Sequence, residues 1–248
     1  MHPFRRFGLE HAAAVVLIAA IAASLSYGVR RGRGSRRRVE VAVRIVLAVF
    51  LAGGLGFALV QSLPLRGLDW LDILPLHFCD LAVLVAVWAL ATRQQAACEI
   101  LYFWGLTGTL IALLTPDLDH GLPDPHCVSF FALHGGVAAS AAVMTFGVGI
   151  RPRPRANLHV FWMTNLYAAA IAVIDFLAKE NYLYLRAKPS QPSILDWMGP
   201  WPWYILAADA LAFVLFWALM APFGKHVGSE TTSSNRATRR SSRRPARS

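Results

Sequence analysis

The sequence predicts an all-α protein, a bundle of about seven transmembrane helices with the N-terminus outside and the C-terminus in the cytoplasm. Of its 248 residues, 56% are hydrophobic and only 15% are charged, which is more apolar surface than a soluble domain buries in one core. The apolar residues form successive runs of similar length, and the basic residues occupy the gaps between those runs. This pattern is typical of a polytopic membrane protein.

Each apolar run is long enough to cross a hydrocarbon core, which takes about 20 helical residues at about 1.5 Å each. Spanning strands are excluded because the runs do not alternate in polarity. We predict one transmembrane domain over residues 1–224 and a disordered, basic cytoplasmic tail over residues 225–248, which lacks large apolar side chains. The predicted spans cover residues 9–27, 39–60, 73–91, 96–114, 128–148, 158–177 and 203–223.

Basic residues set the predicted orientation, because short cytoplasmic loops are enriched in Lys and Arg. Seventeen of the 24 Lys and Arg residues lie in alternate loops and the tail, six lie on the opposite side, and Arg44 falls inside the second span. The first run could instead be a signal peptide ending near Ala23. Six arginines follow it within residues 30–38. Exporting them would oppose the charge bias, so we predict an uncleaved first helix.

Several function classes are disfavoured by composition. The net charge of +10 comes from loops rather than from a basic face between aromatics, so we predict no nucleic-acid partner. The three cysteines lack the CxxC spacing of a disulfide framework or zinc ribbon. Residues 115–127 carry carboxylates and imidazoles, but in no recognised ligand spacing. We therefore predict neither a metal nor a cofactor.

A thiol and an imidazole occupy matching depths in two predicted spans. Cys79 lies seven residues beyond the outer polar residue Asp72, and His134 lies seven beyond Cys127. Both are thus about 10 Å below the outer interface, at about 1.5 Å per residue, and can meet if the two helices are neighbours. An imidazole beside a thiol makes it a nucleophile toward an ester or thioester. We predict Cys79 and His134 as catalytic residues of acyl transfer.

Ionisable side chains within spans are costly and tend to face the bundle interior. His77, Asp80, His134 and Asp175 are of this kind, and they leave open an alternative in which a transporter or channel uses them to line a path. A membrane scaffold without any site is a third possibility. Asn165, deeper in the sixth span, is predicted to link helices by a hydrogen bond.

The segment 179–204 combines cations with Tyr and Trp at a membrane boundary, where such residues usually anchor the protein in the interface. They could also hold a phospholipid head group. Together with polar residues near Cys79, they form the predicted substrate-binding set. Its members are His77, Asp80, Asn181, Tyr182, Lys188, Trp201 and Trp203.

Four motifs in combination resemble the bacterial YwaF-like integral membrane proteins. They are LPLHFCDLA at 74–82, the stretch 99–118 with YFWGLTG and LLTPDL, FFALHGG at 130–136, and NYLYLRAKP with SILDWMGPWPWY at 181–204. The resemblance covers roughly residues 40–220. That group is similar to a vertebrate transmembrane acyltransferase that makes polyunsaturated ether phospholipids.

The resemblance implies a Cys/His acyl transfer, whose positions here are Cys79 and His134. More distant hydrolase relatives use a threonine and a histidine. The expected partners are membrane lipids, namely a lipid acyl donor and a lyso-lipid or water acceptor, and the expected location is the cell membrane. The sequence does not predict the oligomeric state.

Overall fold

The structure is a computed structural model that describes residues 2–32, 35–66, 74–189 and 193–226. Within these ranges the chain forms helices and no β-strand, and one isolated bridge pairs Pro3 with His120. The predicted all-α class is confirmed. Most of the predicted disordered tail, from residue 227 onward, lies outside the described residues. So does the segment 67–73, whose last residue is the first of the third predicted span.

The α-helices in the described residues are α1 (Leu9–Arg31), α2 (Arg36–Arg66), α3 (Phe78–Thr92), α4 (Gln95–Gly105), α5 (Gly108–Leu114), α6 (Pro125–Ala142), α7 (Ala156–Ala178) and α8 (Trp203–Met220). A π-helical turn (Val143–Val148) extends α6, and short 3-10 turns cover Tyr182–Tyr184, Ile194–Met198 and Ala221–His226. Six helical stretches are long and apolar enough to cross a membrane, and α3 is a shorter apolar helix of 15 residues. The protein is therefore a multi-pass membrane bundle.

Two of these stretches form the centre of the bundle. The most apolar parts of α4–α5 and of α6 with its π-helical turn are 67% and 61% buried, against 6–17% for the four stretches of α1, α2, α7 and α8. Small residues allow the central helices to approach closely. A Cβ atom on Gly105 would lie 2.9 Å from that of Ala141, so only glycine fits there. This is the close packing expected where hydrophobicity does not drive helices together.

The described loops collect at two opposite ends of the bundle. At the predicted outer end, the N-terminal segment pairs with the loop after α5. There, the backbone N–H of Phe4 donates to Asp119 O at 3.0 Å and that of Gly121 donates to His2 O at 3.0 Å. At the other end, Glu99 of α4 bonds the Arg153 guanidinium at 2.9 Å. The sidedness of these two ends stays a prediction from the basic loops.

Two predicted spans differ from the structure. The third was expected to be helical from residue 73, but residues 74–77 are non-helical and α3 begins at Phe78, because Pro75 disfavours a helix at the residue before it. The fourth was expected as one helix over 96–114, and it is broken at Leu106 and Thr107. Broken helices in membranes are tolerated where they are buried in protein or line a cavity.

Arg44, the basic residue inside the second span, caps a neighbouring helix. Its guanidinium donates to the carbonyl oxygens of Leu90 at 2.7 Å and Ala91 at 3.0 Å, which are among the last carbonyls of α3 and lack helical partners. Glu40, one turn earlier, lies 3.4 Å from Arg44 and 3.3 Å from Arg93. The cation is therefore held at a helix C-terminus, where positive charge is favourable.

We expect Arg44→Met to lower the free energy of unfolding by about 2 kcal/mol, because each hydrogen bond from a charged group contributes about 1.5–3 kcal/mol. Thermal unfolding of the purified protein in detergent measures this. The matched control is Arg37→Met, at an exposed arginine of the same helix, which should leave the transition temperature unchanged. Equal stability of the two variants would contradict the capping role.

Candidate functional site

Cys79 lies in the first turn of α3. His77, the residue immediately before α3, has an extended backbone (φ −65°, ψ 143°). The Tyr167 hydroxyl of α7 donates to Leu76 O at 2.6 Å. These features fix where the chain enters the helix. A position in the first turn also suits an anionic sulfur, because a helix N-terminus carries partial positive charge.

His134 projects from α6, two and a half turns after that helix begins. The Asp124 side chain caps the helix by accepting from the backbone N–H groups of His126 at 2.9 Å and Cys127 at 3.1 Å, and Pro125 occupies the first position, where no N–H is needed. The start of α6 is thus well defined, and with it the direction in which His134 points.

The Cys79 sulfur lies 3.1 Å from His134 Nε2, which confirms the prediction that the two side chains meet. The other ring nitrogen, Nδ1, lies 2.8 Å from the backbone oxygen of Phe130. A carbonyl oxygen can only accept, so Nδ1 carries the proton of the neutral ring and Nε2 presents its lone pair to the thiol. The Phe130 ring also stacks on the imidazole, with centroids 4.1 Å apart.

The depth estimate that led to this pair is wrong for Cys79. It counted seven helical residues from Asp72, whereas α3 begins only at Phe78, and Asp72 lies outside the described residues. The two groups meet because α3 and α6 are in contact. The hydrogen-bond partner of His134 Nδ1 is the Phe130 carbonyl oxygen rather than a carboxylate.

A cavity of about 50 Å³ opens beside the pair. One water occupies roughly 30 Å³ of liquid volume, so this space fits a reacting carbonyl group but not an acyl chain. Cys79 keeps exposed surface, whereas His134 is partly buried. The residues lining the cavity are Cys79, Asp80, Val83, Thr109, Leu133, His134 and Val137.

Thr109 reaches this cavity because the fourth span is broken. The helix stops at Gly105 and restarts at Gly108. A Cβ atom on Gly108 would lie 3.0 Å from the Phe78 ring, so glycine lets α5 approach the start of α3. Sequence reasoning missed Thr109, although Gly105 and Gly108 just before it were a usable signal of an interrupted helix.

His77 and Tyr182, two predicted substrate contacts, lie together at the outer side of the site. Their rings are 5.1 Å apart in an edge-on arrangement. The backbone N–H of Tyr182 donates to Asp175 Oδ1 at 2.9 Å, and Asp175 is fully buried. Within the part of the chain that is described, Asp175 Oδ2 has no hydrogen-bond partner. Asp80, the third predicted contact near Cys79, lines the small cavity beside Cys79 and His134.

The other predicted contacts belong to the loop between α7 and α8. Asn181 Oδ1 accepts from the backbone N–H groups of Arg186 at 2.9 Å and Ala187 at 3.1 Å, so it shapes the loop. Lys188 Nζ lies 3.7 Å from Asp196 Oδ1 and 5.5 Å from the Tyr204 ring centroid. These internal contacts leave little free for a head group, and substrate binding by Asn181 and Lys188 stays a prediction.

The two predicted tryptophans are both largely exposed. Trp201 donates from Nε1 to Leu185 O at 3.0 Å, and Trp203 is the first residue of α8. Exposed rings at the end of a span suit the membrane interface. Substrate contact by Trp201 and Trp203 stays a prediction.

Tyr184, missed by sequence reasoning, lies near the Cys79 thiol. The pKa of its phenol is raised, chiefly by desolvation and further by the charges of Asp117 and Cys79. Its carbonyl oxygen accepts from the Tyr204 hydroxyl, which ties this loop to α8. Desolvation also raises the pKa of Asp117, with Arg6 opposing the shift. The outer face of the site is therefore partly shielded from water.

Two polar side chains, Asn165 of α7 and Asp209 of α8, meet between predicted spans. Asn165 Nδ2 of α7 donates to Asp209 Oδ1 of α8 at 3.0 Å, which confirms Asn165 as a link between helices. Asp209 was missed by sequence reasoning, although a carboxylate within an apolar run is itself a signal. This hydrogen bond between the Asn165 amide and the Asp209 carboxylate joins α7 to α8.

A larger cavity of about 510 Å³ lies elsewhere, between α1, α2 and α6. Its walls are apolar apart from Glu10, whose carboxylate accepts from the Leu122 N–H and contacts His2 at 2.9 Å. Neither Cys79 nor His134 borders it. Within the described ranges, no group of three His, Cys, Asp or Glu residues is placed to hold a metal ion.

The TMEM164 family model matches residues 6–221, which include all of the helices α1 to α8. The chain belongs to the TMEM164 family. Both members of the Cys79–His134 pair lie inside the matched range, as do all the predicted substrate contacts. Neither a curated protein nor a solved structure matches the chain significantly. For this TMEM164-family chain, the finer resemblance to YwaF-like proteins and to the ether-phospholipid acyltransferase stays a prediction.

Proposed function

We propose that this protein is an acyltransferase of the cell membrane that moves an acyl group from a lipid ester through Cys79 to a lyso-lipid or to water. The observation that supports the proposal best is the 3.1 Å contact between Cys79 Sγ and a His134 Nε2 whose lone pair is free for the thiol proton. A thiol paired with an oriented imidazole is the arrangement that covalent acyl transfer requires.

In the first half-reaction, His134 Nε2 takes the Cys79 proton while the sulfur attacks the ester carbonyl carbon. A C–S bond forms and the carbonyl electrons move onto oxygen. When the tetrahedral intermediate collapses, the ester C–O bond breaks and the leaving alkoxide takes the proton from Nε2. The products are a thioester on Cys79 and a lyso-lipid.

In the second half-reaction, the acceptor hydroxyl gives its proton to Nε2 and its oxygen attacks the thioester carbonyl. The C–S bond then breaks, and the departing sulfur recovers the proton from Nε2. One imidazole nitrogen thus serves as base and acid in turn. With water as acceptor the same steps give a fatty acid, so transferase and hydrolase differ only in the acceptor.

The site's size fits this chemistry at a lipid boundary. The small cavity admits the reacting carbonyl, and the exposed side of Cys79 leaves a lateral route by which the acyl chain stays among the hydrocarbon of the membrane. Exposed Trp201 and Trp203 border the same end of the bundle. Membrane lipids can therefore supply donor and acceptor without leaving the bilayer.

We expect an acyl thioester on Cys79 when the purified protein is reconstituted with phosphatidylcholine and a lyso-lipid acceptor. Mass spectrometry of its peptides, with and without hydroxylamine, measures the adduct. Cys98 and Cys127 are buried internal controls and should stay unmodified. An acyl group found equally on all three cysteines, or on none, would contradict the proposal.

The transport alternative predicts a different result from the same proteoliposomes. Proton or solute flux would persist in Cys79→Ala and disappear in Asp175→Asn, because a path lined by carboxylates does not need the thiol. Flux with this pattern and no thioester would replace acyl transfer as the function.

A further inference from the structure

Thr109 is a buried side chain on the wall of the reaction cavity. It is 4% exposed and lines the same cavity as Cys79 and His134. Nothing in the two half-reactions written above uses it. A buried hydroxyl needs a hydrogen-bond partner, because leaving it unpaired costs about 1–3 kcal/mol.

Six other Ser and Thr hydroxyls, on the described helices or at their ends, satisfy this need in one way. They donate to the carbonyl oxygen four residues earlier, which is the usual local bond for Ser and Thr in helices. The pairs are Ser26 with Ala22, Thr92 with Trp88, Thr107 with Phe103, Thr115 with Ile111, Ser140 with Gly136, and Thr164 with Val160.

Thr109 does not make this bond. The carbonyl four residues earlier belongs to Gly105, the last residue of α4, and the break at Leu106 and Thr107 separates the two. No hydrogen bond joins the Thr109 hydroxyl to another described residue, and because it is not one of the fully enclosed unpaired atoms, Gln61 Oε1 and Asp175 Oδ2, it is not completely covered by protein. Thr145 shares this feature, since it lies in the π-helical turn, where the four-residue register is also lost.

We propose that the Thr109 hydroxyl donates a hydrogen bond to the carbonyl oxygen of the acyl group attacked by Cys79, and so stabilises the oxyanion of both tetrahedral intermediates. This inference rests on the proposed acyl transfer. It adds the one component that the Cys79–His134 pair lacks, because base and nucleophile do not neutralise the charge that develops on oxygen. A fixed donor for that charge is worth about 100- to 1,000-fold in rate.

The broken helix gives the donor its two necessary properties. It removes the internal acceptor that would otherwise hold the hydroxyl, and Gly108 lets α5 lie against Phe78, the residue before the nucleophile. Thr109 lines the same small cavity as Cys79 and His134, so in our proposal its hydroxyl is in place before the carbonyl oxygen becomes charged. Such a donor is a catalytic residue because it contacts a reacting atom.

The test compares Thr109→Val, which keeps the shape and removes the donor, with Thr109→Ser, which keeps the hydroxyl. We expect Val to slow thioester formation on Cys79 from phosphatidylcholine about 100-fold or more, and Ser to stay within about 10-fold of wild type. Thr145→Val is the matched control, because it removes an equally unpaired hydroxyl outside the cavity. It should leave the acylation rate unchanged.

A second measurement separates an oxyanion donor from a structural residue. Alkylation of Cys79 by iodoacetamide needs the thiolate but forms no oxyanion, so its rate should be the same in wild type and Thr109→Val. If Val slows alkylation and acylation together, Thr109 is structural and the inference is overturned. If wild type forms the thioester and Val forms it equally fast, the inference also fails while the proposed function stands. If wild type forms no thioester, both fail.

Discussion

Replacing Cys79 with alanine is expected to reduce acyl transfer at least about 1,000-fold and to abolish the thioester, because the substitution removes the thiol that forms this intermediate. The sulfur is the atom that lies 3.1 Å from His134 Nε2, and no second thiol reaches that position. Lipid profiling of cells that express wild type and Cys79→Ala measures the loss in the membrane, and single-turnover acylation of the purified protein measures it directly.

Two controls make this result specific. Cys98→Ala removes a buried thiol of α4 and should keep full activity if folding is preserved. Cys79→Ser keeps a nucleophile of nearly the same shape, but the hydroxyl is a much weaker acid than the thiol, so we expect an intermediate, strongly reduced rate. Full turnover in Cys79→Ala would remove the covalent mechanism.

Replacing His134 with glutamine is expected to reduce acyl transfer about 100- to 10,000-fold, the usual contribution of a positioned general base and acid. Glutamine fills a similar volume and can hydrogen-bond, but it cannot take a proton from the thiol. Single-turnover kinetics of the purified variant, with Cys79 acylation as the readout, measures the effect. Circular dichroism and size exclusion establish that the bundle is intact.

The double variant Cys79→Ala/His134→Gln provides the check on a shared role. If the two side chains act as one unit, the double variant loses no more activity than Cys79→Ala alone. His120→Gln, at an exposed histidine of the loop after α5, is the matched control and should be silent. If the loss in the double variant equals the product of the losses in the two single variants, His134 does not act on the Cys79 proton.

The candidate site was predictable in part. A thiol and an imidazole inside apolar runs stand out because such groups are costly in lipid, and their pairing followed from two outer positions in spans that could be neighbours. Thr109 was not predictable in the same way, since a threonine inside an apolar helix usually bonds its own backbone. Its availability depends on the break at Leu106 and Thr107, which apolar periodicity does not reveal.

The roles of some residues follow only from contacts with residues that are distant in the sequence. Arg44 was a basic residue left over from the topology count, and it caps α3, which lies 46 residues further along the chain. Asp209 became meaningful only once Asn165 was found beside it on a different helix.

The sequence by itself determined that this chain is a multi-pass helical membrane protein, because lipid forces backbone hydrogen bonds to close within each segment and so leaves a readable apolar run for every span. It also identified the ionisable side chains whose free-energy cost in lipid makes a functional role a reasonable hypothesis. The tertiary structure alone decided that Cys79 and His134 touch, which imidazole nitrogen carries the proton, and that Thr109 lines the same cavity as this pair. Those features depend on how helices pack against one another, and packing is set by small local volumes such as Gly105 and Gly108 rather than by the hydropathy of any one segment.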